Sequence, residues 1–151
     1  TTDLASMHIE PRAVMVSPDD ASSVTGLRTN ILSTPEQTTI YVCNLAGSDG
    51  NTIVGELTDS LEHIGRQVNL INHLEDNDAI LSPRFQPQLK SGAYNIVIMP
   101  DSSHISAYVD AFNADSATVL VIIKRGTMRR NALKSILRGV YADKVVTAII
   151  R

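Results

Sequence analysis

Apolar and polar positions follow two periods along this chain. TTIYVC (38–43), QVNLIN (67–72), YNIVIM (94–99), ATVLVII (117–123) and KVVTAII (144–150) are apolar at most positions and rich in β-branched residues, so each reads as a strand. AVMV (13–16) reads as a shorter edge strand. Between them the apolar spacing becomes helical. Val24, Leu27, Ile31 and Leu32 recur on one face after SPDDASS, where Ser17 or Asp19 can cap. Ile53, Val54, Leu57, Leu61 and Ile64 line one face of 52–64, which Gly65 ends. Residues 103–113 and 127–140 read as two more helices, the second with Ala132, Leu133, Ile136, Leu137 and Val140 inward. Residues 73–91, polar and broken by Pro83 and Pro87, fit no element. Strands this apolar are buried on both faces, and strand–helix alternation gives that burial through parallel pairing under helices. The expected fold is α/β, a three-layer sandwich around a mainly parallel sheet of five to six strands. Residues 1–12 read as a flexible leader and 13–151 as one domain.

Composition narrows the setting. Trp is absent and aromatics make up 4%, so the core rests on aliphatic side chains. No stretch approaches the roughly 18 continuous apolar residues of a membrane span. The lone cysteine, Cys43, excludes an internal disulfide and fits a reducing, cytoplasmic setting; its place at a strand end makes it a buried residue rather than a reactive one. A start at Thr1 suggests part of a longer chain. Charge divides by position: residues 116–151 hold eight Lys or Arg and one acid, residues 1–115 five basic and fifteen acidic. Such polarity suits head-to-tail contact with a copy, a partner protein, or anionic lipid at the inner face of a membrane, beside the plain reading of solvated helix faces.

The segment NLAGSDGNTIVGEL (44–57) joins the first long strand to a helix through a glycine turn, where a nucleotide-binding protein cradles phosphate. Together with GLRTNI (26–31), GRQVNLIN, LKSGAYNIVIMPDSS and ATVLVIIKRGTMRRNALKSIL, this order resembles the bacterial tyrosine kinases. These are the ParA/MinD-like, deviant P-loop cytoplasmic domains of polysaccharide co-polymerases that regulate chain length. The resemblance covers about residues 13–151 and implies a P-loop NTPase-like fold that binds ATP and Mg.

The departures from that pattern fall on the chemistry. The family's loop reads approximately GxGK[ST]T, with the lysine supplying positive charge and a hydroxyl holding magnesium. Here Gly47, Ser48, Asp49, Gly50, Asn51 and Thr52 align with it, which puts Gly50 at the lysine's position and a carboxylate beside it. With no ammonium on the loop and one added negative charge, a triphosphate loses several kcal/mol of attraction. The acidic motif after the second core strand becomes Asn72, and the one after the third becomes Pro100 with Asp101 one step later. Of the family's E-x-x-R-x-x-R oligomerisation motif only Arg28 remains.

The resemblance therefore implies a vestigial nucleotide site: a pseudokinase with no catalytic residue and no cofactor. It would take part in exopolysaccharide or capsule synthesis by protein–protein interaction, with membrane polysaccharide-synthesis machinery or with itself. Arg28, Arg129, Arg130 and Lys134 are its candidate interaction residues. One alternative is a weak ATPase or autokinase, with ATP and Mg held by the 47–52 amides, Asp101 and a lysine from elsewhere such as Lys124 or Arg125. Another is an unrelated α/β module for a small anionic ligand. His8, His63, His73 and His104 show no metal-ligand spacing. Asp101, Ser102 and Ser103 suit the N-cap of the following helix better than a triad with His104. The stripe of Arg129, Arg130, Lys134 and Arg138 lacks the aromatic partners of a nucleic-acid surface.

Overall fold

The structure, a computed structural model, describes residues 13–72, 89–99, 109–126 and 137–151. The strands are β1 (Ala13–Val16), β2 (Thr39–Asn44), β3 (Val68–Asn72), β4 (Tyr94–Ile98), β5 (Ala117–Lys124) and β6 (Val145–Ile150). The helices are α1 (Val24–Leu32), α2 (Ser48–His63) and the short α3 (Val109–Phe112). The six strands form one sheet in the order β1-β6-β5-β2-β4-β3, and every neighbouring pair is parallel. The expected α/β sandwich is the fold found, with all pairs parallel rather than most.

Side-chain alternation explains the three layers. On one face Ile40, Val42, Ile96, Ile98, Leu120, Ile122, Val146 and Ala148 pack against Val24, Leu27 and Ile31 of α1 and Ile53, Leu57 and Leu61 of α2. On the other, Tyr41, Cys43, Val97, Val119, Val121, Ile123 and Ile149 gather with Phe112 and Leu137. The Tyr41 and Phe112 rings meet at 5.1 Å, tilted by 49°. Each strand thus supplies two cores, as a pleat of period two requires.

Two groups of polar side chains inside the sheet are tied down, while the buried Thr147 hydroxyl on β6 has no hydrogen-bond partner among the described residues. The Asn95 carboxamide oxygen accepts from Lys90 N (2.8 Å) and Asn69 Nδ2 (2.9 Å), fixing the β3–β4 pair to the turn before β4. The Thr118 hydroxyl donates to Gln37 Oε1 at 2.6 Å.

Three details differ from the sequence expectations. The cap comes from Asp20, whose carboxylate accepts from Ser22 N at 3.1 Å and opens a 3-10 turn (Ala21–Ser23) ahead of α1. The Ser17 hydroxyl accepts instead from Asp19 N at 3.3 Å. Ile64 sits just past the end of α2 and is 40% exposed, so it lies off the buried stripe. The helix over 103–113 is described only from Val109; of the segment 127–140 only 137–140 is described, a turn rather than helix, with Leu137 buried as expected.

Candidate functional site

In an open α/β sheet, ligands bind beyond the carboxyl ends of strands whose connections leave in opposite directions. Here those strands are β2 and β5. From β2 the chain passes through α2 towards β3, and from β5 it returns towards β6 on the other side. In dinucleotide-binding and flavodoxin-like sheets the first strand pairs with the second. Counting from β2, this sheet pairs its first strand with its third and fourth. The strand carrying the glycine turn is therefore central, beside the strand that leads to Asp101.

Only three residues, Leu45, Ala46 and Gly47, separate β2 from α2. Gly47 makes so short a reversal possible, with φ 65° and ψ −137°, a combination that a Cβ disfavours. Its carbonyl accepts the first helical bond, from Asn51 N at 3.2 Å. The helix was expected from residue 52 and instead begins at Ser48. Five of the six residues aligned with a phosphate loop, Ser48 to Thr52, are thus its opening turns. Local chemistry favours the early start, since Asp49 in the first turn meets the positive end of the helix dipole. The Thr52 hydroxyl donates back to Ser48 O at 3.2 Å, and Asn51, aligned with the magnesium-holding residue that follows the lysine, carries no hydroxyl.

The space under the turn is filled by Asn44, which the sequence reading passed over. Its Oδ1 accepts from Ala46 N at 2.9 Å, and its Nδ2 donates to Gly47 O at 2.9 Å and Asn51 Oδ1 at 3.1 Å. Gly50 packs directly on this carboxamide: a Cβ built there would collide with both its oxygen and its nitrogen. Glycine at the lysine's position is thus a steric requirement of Asn44. The readable signal was an Asn two residues before the backbone amide it accepts from, an Asx turn.

Electrostatics corrects the sequence expectation in one respect. The turn does face an ammonium group: Lys124 Nζ, at the end of β5, lies 2.9 Å from Asp49 Oδ2. The pair bridges the crevice between β5 and the head of α2, and both side chains are partly exposed. Lys124 is one of the two residues the ATPase alternative borrows from elsewhere, and it comes from a strand about 75 positions downstream.

The remaining candidates are dispersed. Asn72 ends β3, and β4 stands between it and β2. Arg28 donates from Nη1 to Ser60 Oγ at 2.9 Å and to Ser60 O at 3.3 Å, joining α1 to α2 within the molecule. Arg125 is exposed just after β5, where its amide donates to Ile150 O. Asp101, Arg129, Arg130 and Lys134 lie outside the described residues. Cys43 is buried and its thiol is pushed up to about 12 by desolvation. His63 is exposed on the last turn of α2. Among the described residues no helix is long and apolar enough to cross a membrane.

No protein-family model, no curated protein and no solved structure matches this chain.

Proposed function

We propose that the chain is a non-catalytic α/β domain of the bacterial tyrosine kinase and polysaccharide co-polymerase type, with a nucleotide site filled from within. It works by binding a protein, either the membrane machinery of exopolysaccharide or capsule synthesis or a second copy, at the cytoplasmic face of the cell membrane. One observation carries the reading: Asn44 occupies the space under the glycine turn, and Gly50, at the lysine's position, has no room for a side chain. Phosphate binding at a helix head needs backbone amides open to the anion and a cation free to meet it. Here Asp49 stands in the first helical turn and takes Lys124 as its partner. The expected result of isothermal titration with Mg-ATP and Mg-ADP is no binding in the micromolar range. Low-micromolar affinity accompanied by hydrolysis would overturn the proposal.

A second reading rests on the same ion pair. Lys124 brings an ammonium group to the head of α2, as a weak ATPase with a lysine donated from another strand requires. In that case Asp49→Asn would remove a carboxylate from the head of α2 and raise affinity for Mg-ATP. Lys124→Met would abolish it. On the first reading neither substitution creates measurable affinity.

A further inference from the structure

We draw no further inference here: the strongest candidate, the exposed apolar surface at Leu70 on the edge strand β3, carries nothing because nothing in the structure shows what covers it.

Discussion

Asn44 and Gly50 act as one unit, and that coupling is measurable. Replacing a helical glycine by alanine ordinarily gains about 1 kcal/mol of helix propensity. At Gly50 the added methyl group must displace a carboxamide that makes three hydrogen bonds, and crowding of this kind costs about 1–3 kcal/mol. Gly50→Ala should therefore lower the urea midpoint. In an Asn44→Ala background the same change should be neutral or stabilising, a strong departure from additivity. Equal effects in the two backgrounds would dissolve the proposed coupling. Cys43 supplies a second residue-scale test. Burial raises its thiol from 9.0 to about 12, so the folded state favours the neutral form. Its contribution to stability is fully present below about pH 9 and is lost as pH rises towards 12. Cys43→Ala should flatten this alkaline loss, seen as a smaller fall in unfolding midpoint with pH. Native protein should resist thiol reagents near neutral pH until denatured.

At the scale of elements, the ion pair between α2 and β5 is a modest tie. Both partners are partly exposed, Lys124 at 47% and Asp49 at 36%, so solvent screens the attraction. A double-mutant cycle with Asp49→Asn and Lys124→Met should give a coupling of about 0.5 kcal/mol that shrinks in high salt. A coupling of several kcal/mol, unmoved by salt, would contradict this picture of a screened surface pair. Strands were the most legible elements, because five apolar, β-branched runs left little choice but burial on both faces. Boundaries were less legible. The head of α2 was placed four residues late because Gly47, Ser48, Asp49, Gly50 and Asn51 are weak helix formers read in isolation. In the fold the dipole's preference for Asp49 and the Asn44 bonds outweigh that weakness. The candidate site was half legible: the glycine turn could be located from sequence and Lys124 named as a lysine donated to it, whereas Asn44 holds the turn through bonds that local spacing does not encode.

For the whole molecule, the sheet order gives meaning to the charge division. The basic stretch 116–151 builds β5 and β6, and the acidic remainder flanks them, with β1 outside β6 on one side and β2, β4 and β3 on the other. If the basic side carries the proposed partner contact, a pull-down with Arg129→Glu and Arg130→Glu should lose the protein partner retained by the parent chain. Retention of every partner would remove Arg129 and Arg130 from the interface. The position of β6 has a different consequence. It lies between β1 and β5, and among the described residues β1 has no other strand beside it in the sheet. During synthesis, then, Ala13–Val16 must wait for a neighbour that leaves the ribosome some 130 residues later. Loss of the last dozen positions would remove β6, leave β1 without its neighbour and β5 paired only with β2, and lay bare the aliphatic layer beneath them.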